Sequence, residues 1–315
     1  MTGIILKTVT RTQGNNRALK DGTVKPQRFS FDFEEVPVLV RAFRRMVRGL
    51  KFDVSEMAFT TYLCAKAHGK PFTALPVFLV RGFHHGAVVR GEDSDIRNPA
   101  DLEGRKVGVN RGYTVTTGVW ARAILREEYG LDPDRVTWMP SGDEHVAEYR
   151  PPANVVPMEQ PADLVASVTA GDLAAAVGVT ASQPGLVPVI PDTEEAGFAA
   201  LAERGLYPIN HLVVVRDDVL AAHPDLASDI FIAFAEAKNR YVDDLRHNRI
   251  DDPSSTDQMY RRVMEITEGD PLPYGIAPNR PMIERLIEHA VDQKILDRPL
   301  PMNELFAPGT HELTA

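Results

Sequence analysis

The sequence has one cysteine, no long apolar run and no basic block, and each of these shortages excludes a class of protein. With Cys64 as its single cysteine, the chain cannot form an intramolecular disulfide or a cysteine-based metal cluster. No apolar run reaches the ~18 residues that a membrane-spanning helix requires. The net charge is −9, and no segment rich in lysine and arginine is interleaved with aromatic residues, so a nucleic-acid partner is not expected.

The first residues also lack the features of an export signal. The segment "MTGIILKTVT" has the pattern of a strand, without a basic start, a long apolar stretch or a cleavage site with small residues. We therefore expect a cytoplasmic protein that does not bind a membrane. The sequence leaves open whether the chain forms a homo-oligomer.

Strand-like and helix-like patterns alternate along the whole chain. This alternation predicts an α/β fold with a largely parallel sheet, and the 315 residues are enough for two domains. The alternation starts again after Arg90. We therefore predict that lobe one comprises residues 1–85 and 206–315, and that lobe two, residues 86–205, is inserted into it.

The two predicted crossovers between the lobes, near 82–90 and 207–216, carry similar patterns. The segments "HHGAVVR" and "NHLVVVR" each place a histidine five residues before an arginine. If both segments pass between the lobes, His85 and His211 lie beside each other at the floor of a cleft. The similarity is then a consequence of geometry, because no other repeat at that offset is present.

Segments spread over most of the chain resemble a known family. From Arg17 to Phe306 they follow the order found in 4,5-dihydroxyphthalate decarboxylase and its relatives: "RALKDGTVKP", "FDVSEMAFTTYL", "PVFLVRGFHHGAVV", "DLEGRKVGVNRGYTVTTGVWARAILREEYG", "YPINHLVVVR", "PYG" and "NELF". The resemblance implies a two-lobed fold like that of the type II periplasmic binding proteins, with a cleft between the lobes. It also implies the non-oxidative removal of carbon dioxide from a hydroxylated aromatic acid, as in phthalate degradation, with no organic cofactor and with or without a divalent metal.

The sequence departs from the family pattern at four places. The family usually has an arginine at the position of His84, a serine at Gly86, an acid at Ala174 and an arginine just before Pro184. Three of these changes alter charge or hydrogen bonding near the predicted cleft. We therefore expect the substrate to be 4,5-dihydroxyphthalate or a related ring acid.

The implied reaction needs a proton donor over the ring, a base at a hydroxyl and donors for a second carboxylate. His85 and His211 are candidate acids and bases, because the unperturbed pKa of histidine lies nearest neutrality. The alternative is that each is a hydrogen-bonded structural histidine at a strand end. Glu56, in "DVSEM", follows a strand and precedes a helix, where α/β sheets form their sites. It is a candidate base for a phenolic proton, and the alternative is an acid in the first turn of the helix. The same three residues are a candidate metal site with two histidines and one carboxylate.

Four residues are candidates for binding a substrate carboxylate. The segment "NRGYTVTTG" joins a strand to a helix, so Tyr113, Thr114 and Thr116 would form a carboxylate cradle at the helix N-terminus. Ordinary capping of that helix by a threonine is the alternative. Arg81 is a candidate clamp because its planar fork matches two oxygens, and a surface ion pair is its alternative role.

Three further residues are predicted to contact the substrate. Asn16 and Arg17 lie on the loop after the first strand. Tyr274, in "PYG", either closes over the ring or is an aromatic residue of a turn.

A second function fits the same fold. A solute-binding protein of the ABC-transporter type would hold a small acid and leave it unchanged, because a fold does not determine a function. A binding protein needs only hydrogen-bond donors, so the histidine pair favours the enzyme. A dehydratase, or another enzyme that moves a proton on a carboxylated ring, needs the same residues and stays open.

Overall fold

The computed structural model describes residues 3–315, which fold into two compact units. Met1 and Thr2, at the start of the predicted N-terminal strand segment, lie outside the described residues. Unit 1 comprises the chain up to Arg81 together with Ile209–Glu284 and Leu300–Ala315, and unit 2 comprises Gly82–Pro208 and Arg285–Pro299.

The units differ from the predicted lobes in two respects. The chain enters unit 2 at Gly82 and leaves it at Pro208, so His85 belongs to unit 2 and not to lobe one. The segment Arg285–Pro299 also belongs to unit 2, whereas the sequence-based division placed it in lobe one. A helical pattern alone does not show which unit its apolar face packs against.

The described residues contain ten strands and eleven α-helices. The strands are β1 (Ile4–Val9), β2 (Phe29–Phe33), β3 (Val54–Ala58), β4 (Phe72–Arg81), β5 (Val88–Gly91), β6 (Lys106–Val109), β7 (Thr137–Pro140), β8 (Ala175–Val177), β9 (Leu186–Pro188) and β10 (Ile209–Arg216). The helices are α1 (Arg17–Lys20), α2 (Leu39–Gly49), α3 (Phe59–Ala67), α4 (Thr116–Tyr129), α5 (Leu164–Thr169), α6 (Thr193–Arg204), α7 (Asp217–Ala222), α8 (Leu226–Arg246), α9 (Ser255–Thr267), α10 (Arg280–Asp292) and α11 (Met302–Leu305). From Gly3 onward, no helix is both long and apolar enough to span a bilayer.

The sheet of unit 1 has the strand order β2-β1-β3-β10-β4. Strands β1, β2 and β3 are parallel, and β10 runs antiparallel to both of its neighbours, β3 and β4. Leu212, Val213, Val214 and Val215 of β10 are fully buried, as expected for a central strand that is covered on both faces. The carboxyl ends of β1, β3 and β4 therefore meet the start of β10 at one edge of the sheet.

The sheet of unit 2 repeats this plan, with the order β7-β6-β8-β5-β9. Strand β6 is parallel to β7 and β8, and β5 is antiparallel to β8 and β9. The prediction of a largely parallel sheet holds for four of the five strands in each unit, and the remaining inner strand, β10 or β5, is reversed.

Helix α4 follows β6 and fixes the geometry of the predicted carboxylate cradle. The helix runs from Thr116 to Tyr129 and is capped by Gly130, whose φ of 69° is the left-handed conformation that glycine adopts without strain. Because α4 follows β6, its N-terminus lies at the carboxyl end of that strand.

Candidate active site

Glu56 and His211 form a hydrogen-bonded pair in unit 1. The Nδ1 atom of His211 lies 2.6 Å from Oε1 of Glu56. In the β3–β10 ladder, His211 is opposite Ala58 and Glu56 is opposite Val213, so the two side chains are diagonal neighbours on one face of the sheet. Glu56 lies inside β3 and α3 begins only at Phe59. The interpretation of Glu56 as an acid in the first turn of a helix is therefore wrong.

The carboxylate of Glu56 is held from two sides. It is fully buried, and its second oxygen accepts a hydrogen bond of 2.9 Å from the backbone N–H of Arg11. The imidazole of His211 also meets the ring of Phe43 edge to face, with 5.2 Å between centroids. These contacts fix the position of both side chains before any ligand arrives.

The pair leaves one ring nitrogen of His211 for a ligand. An ionised carboxylate only accepts hydrogen bonds, so Nδ1 of His211 is the donor to Glu56. The side chain of His211 is 19% exposed, and its Nε2 makes no hydrogen bond to any residue that the structure describes. A buried carboxylate that orients a partly exposed imidazole is the arrangement of an acid–base group.

Arg81 lies at the same edge of the sheet. It ends β4 opposite Ile209, two residues before His211, and only 6% of its surface is exposed. Its guanidinium donates a 2.8 Å hydrogen bond to Oδ1 of Asn279. The alternative role of Arg81 in a surface ion pair is therefore wrong, because the side chain is buried.

Asn279 connects Arg81 to the "PYG" segment, and the sequence analysis missed it. Its amide nitrogen donates 2.8 Å hydrogen bonds to the carbonyl oxygens of Pro273 and Gly275. No motif marks this asparagine, since its three bonds depend on the folded turn.

Tyr274 is fully buried in unit 1. Its ring packs against Phe231, with 6.4 Å between centroids, and the Nζ atom of Lys238 lies 5.3 Å from its centroid. Burial raises the pKa of the Tyr274 phenol well above its usual range. The prediction that Tyr274 closes over a substrate ring is thus replaced by a position in the core.

The loop after β1 holds the other predicted ligand contacts of unit 1. Asn16 is fully buried, and its amide bonds the backbone of Gln13 and Arg11, both at 2.8 Å. Asn16 therefore braces the loop and exposes no surface to a ligand. Arg17, in contrast, is exposed at the start of α1.

In unit 2, His85 is tied to a glutamate inside the fold. It has no exposed surface, and its Nε2 lies 3.0 Å from Oε2 of Glu128. The other oxygen of Glu128 pairs with Arg204 at 2.6 Å. Burial alone would raise the pKa of Glu128, but the hydrogen bond from His85 and the charges of His85 and Arg204 outweigh it, and the pKa is lowered. These contacts match the alternative of a structural histidine.

The predicted cradle does bind a carboxylate, but the carboxylate belongs to Glu144. The backbone N–H of Tyr113 donates to Oε1 of Glu144 at 2.5 Å, and the hydroxyl of Thr114 donates to Oε2 at 2.6 Å. A Cβ on Gly112 would lie 2.5 Å from that second oxygen, so the close approach needs a glycine. The N-cap residue of α4 is Val115, so neither Thr114 nor Thr116 occupies the N-cap position that the capping alternative required. Thr116 is buried as the first residue of the helix.

The two groups of predicted residues in unit 2 lie at opposite ends of α4. Thr116 begins the helix, whereas Glu128, the partner of His85, is twelve positions further on. At 1.5 Å per residue, that is about 18 Å along the axis. His85 and the cradle therefore do not form one site within unit 2. Because His211 belongs to unit 1, its predicted position beside His85 stays a prediction.

Between Gly3 and Ala315, no group of three or more histidine, cysteine, aspartate or glutamate side chains is arranged to hold a metal ion. A divalent metal thus stays a prediction for experiment.

Comparisons of the sequence relate the chain to decarboxylases. No family model matches the sequence. The chain is 28% identical over 287 residues to 4,5-dihydroxyphthalate decarboxylase from Comamonas testosteroni, covering 86% of each chain. The chain is a homologue of 4,5-dihydroxyphthalate decarboxylase. A second decarboxylase of that name, from Pseudomonas putida, is 33% identical over 144 residues, which are 43% of this chain and 55% of the relative.

Solved structures establish the fold of this homologue. The periplasmic aliphatic sulphonate binding protein SsuA from Escherichia coli superposes with a TM-score of 0.58 at 12% identity, over 99% of this chain and 94% of that chain. The desulfurization enzyme DszB gives 0.57 at 14% identity, over 96% of each chain. The predicted two-lobed α/β fold of the type II periplasmic binding proteins is confirmed, with two mixed five-stranded sheets. A binding protein and an enzyme share this fold, so the fold does not decide between the two predicted functions.

Proposed function

We propose that the protein is a carboxy-lyase that removes carbon dioxide from 4,5-dihydroxyphthalate or a related hydroxylated aromatic acid. The homology to 4,5-dihydroxyphthalate decarboxylase supports the reaction class. The observation that carries the proposal is the 2.6 Å bond between His211 and the buried Glu56. A protein that only bound an acid would have no need for a carboxylate behind a partly exposed imidazole.

In this proposal His211 is the acid that protonates the ring. A ring hydroxyl supplies electron density to the carbon that carries the carboxylate, and Nε2 of His211 transfers a proton to that carbon. The bond to the carboxyl carbon then breaks, its electron pair restores the aromatic ring, and carbon dioxide leaves. The ring thus gains one proton for each carboxylate it loses, and the imidazole regains its proton from water.

Glu56 and Arg81 support this step in different ways. The Glu56 carboxylate holds the imidazole in one orientation, and positioned proton transfer contributes ~10²–10⁴-fold in rate. Arg81 brings a positive charge to the same sheet edge, where its planar fork is suited to a second ring carboxylate. His85 has a structural role in this proposal, because it has no exposed surface and bonds Glu128.

The test is a panel of hydroxylated benzoates and phthalates, incubated with the purified protein with and without a chelator. We expect carbon dioxide release from at least one member that carries a hydroxyl ortho or para to a carboxylate. Loss of release on chelation would show a metal requirement. A protein that binds panel members tightly but releases no carbon dioxide, even with added divalent metals, would be a solute-binding protein and would refute the proposal.

A further inference from the structure

We propose that Lys20 is a positioning residue for the Glu56–His211 pair, which it reaches through the backbone of Arg11. Lys20 is the last residue of α1 and belongs to the segment "RALKDGTVKP". Its ammonium group bonds the loop after β1 and not the pair itself. Its expected effect on catalysis rests on the proposed function, whereas its effect on the loop does not.

The ammonium group of Lys20 is buried and fully bonded. Only 8% of the side chain is exposed. Its Nζ atom donates to the carbonyl oxygen of Thr10 at 2.6 Å and to the hydroxyl oxygen of Thr12 at 3.0 Å. Its third donor goes to Oε1 of Glu35 at 2.5 Å. An ammonium group has three donors, so each of them has an acceptor. The ring of Phe33, with its centroid 5.2 Å from Nζ, adds a cation–π contact.

The bond to Thr10 fixes the peptide group that holds Glu56. The carbonyl group of Thr10 and the N–H group of Arg11 belong to one peptide unit, which is planar and trans. Its oxygen accepts from Lys20, and its N–H donates to Oε2 of Glu56 at 2.9 Å. The direction of the oxygen therefore sets the direction of the N–H. A cation on the oxygen also polarises the peptide group, which strengthens its N–H as a donor.

Other contacts hold the rest of the loop without Lys20. The side-chain amide of Asn16 donates to the carbonyl oxygen of Arg11 at 2.8 Å. The amide of Asn15 donates to the carbonyl oxygen of Leu79 at 2.9 Å. Loss of the ammonium group should therefore loosen the peptide unit between Thr10 and Arg11 and leave the loop folded.

The position of this peptide unit affects the imidazole because Glu56 is held by both of its oxygens. One oxygen bonds Nδ1 of His211 at 2.6 Å, and the other accepts from Arg11. If the N–H of Arg11 moves, the carboxylate can rotate and the imidazole with it. A misplacement of about 1 Å at a reacting group can cost ~10²-fold in rate. Lys20 thus acts on the proton transfer without touching the substrate.

The first experiment measures hydrogen exchange of the Arg11 amide by NMR and needs no substrate. Lys20→Met should speed this exchange by ~10-fold or more, because a hydrogen bond to a charged group is worth at least that factor. Lys20→Gln, which keeps a donor but not the charge, should fall between the two and replaces Lys20→Met if that variant does not fold. Lys7→Met is the matched control, since Lys7 also pairs with a glutamate, Glu34 at 3.4 Å, near a phenylalanine ring, Phe52 at 5.6 Å. Equal exchange of Arg11 in wild type and Lys20→Met, or the same increase in Lys7→Met, would overturn the proposal.

The second experiment measures carbon dioxide release and separates positioning from general stability. Lys20→Met should lower kcat by ~10-fold or more and leave KM largely unchanged, whereas Lys7→Met should match wild type. In a Glu56→Ala background, Lys20→Met should cause little further loss, because its effect passes through Glu56. Losses of kcat that multiply independently would overturn the positioning role. If wild type decarboxylates no acid of the panel, the proposed function fails, and the exchange of the Arg11 amide still decides the role of Lys20.

Discussion

Replacing His211 separates proton transfer from hydrogen bonding at the Glu56–His211 pair. His211→Ala and His211→Asn both remove the imidazole, but only asparagine retains a side-chain N–H donor for Glu56. If His211 transfers the proton, both variants should lose carbon dioxide release by ~10²-fold or more. If His211 only forms a hydrogen bond, the alanine variant alone should lose activity.

The two variants should differ in stability because of how Glu56 is held. Glu56 has no exposed surface, and the N–H of Arg11 is its other hydrogen-bond donor. His211→Ala leaves a buried carboxylate with one partner fewer, which costs about 3 kcal/mol, the lower end for breaking a buried pair. The lower end of that range applies because the side chain of His211 is 19% exposed, so a water molecule can take its place as the donor to Glu56. His211→Asn should cost only about 1 kcal/mol, the usual value for one altered hydrogen bond.

The assay combines carbon dioxide release with urea unfolding of each variant. His247→Asn is the matched control, since His247 is an exposed histidine of unit 1 in an i, i+4 pair with Asp243. An inactive His211→Asn with a near wild-type urea midpoint would show that the loss is chemical. Full turnover by His211→Asn would refute the assignment of His211 as the proton donor.

Three other substitutions test particular contacts. Arg81→Lys should lower kcat/KM by ~10-fold or more, because an ammonium group cannot bond Asn279 and also present a planar fork; unchanged kinetics would place the carboxylate clamp elsewhere. Glu144→Ala should lower the Tm, and acetate should restore part of the loss because the N–H donors at the start of α4 remain; equal acetate effects on wild type and variant would contradict this. Because the pKa of Glu128 is lowered in the folded state, its ionised form stabilises the fold at pH values above 4.5, the ordinary pKa of the group. This stabilisation is lost as the pH falls through the lower pKa of the folded state. The urea midpoints of wild type and Glu128→Gln should therefore differ at pH 7 and converge in acid, and a constant difference would argue against an ionised Glu128.

Local patterns predicted the elements of this fold better than their directions. The helix that ends at Gly130 and the apolar strand after His211 are both readable from a few neighbouring residues. The direction of a strand cannot be read from the sequence, because a run of buried apolar residues has the same pattern in either direction. The reversal of β5 and β10 therefore had no signal in the sequence. Helix α6 is also hard to predict from the sequence, since its alanine-rich sequence has little contrast between its faces.

The sequence predicted a substrate carboxylate at the start of α4, where the structure has the carboxylate of Glu144. Backbone N–H groups at a helix N-terminus favour any anion that reaches them. The sequence shows the donors in "NRGYTVTTG", but Glu144 stands thirty positions beyond Thr114 in an irregular loop. Only the folded loop shows that the protein supplies its own carboxylate there, so a substrate carboxylate must bind elsewhere or displace Glu144.

The two histidines with similar surroundings in the sequence have different surroundings in the structure. Each bonds a glutamate, but the partner of His85 is 43 positions away and the partner of His211 is 155 positions away. Local sequence carries no information about such distant partners or about exposure. Exposure is what separates the two residues, since His85 has no surface and His211 has 19% of its side chain exposed. An acid that protonates a ring must touch the ring, so of the two similar histidines His211 is the one whose environment permits the proposed chemistry.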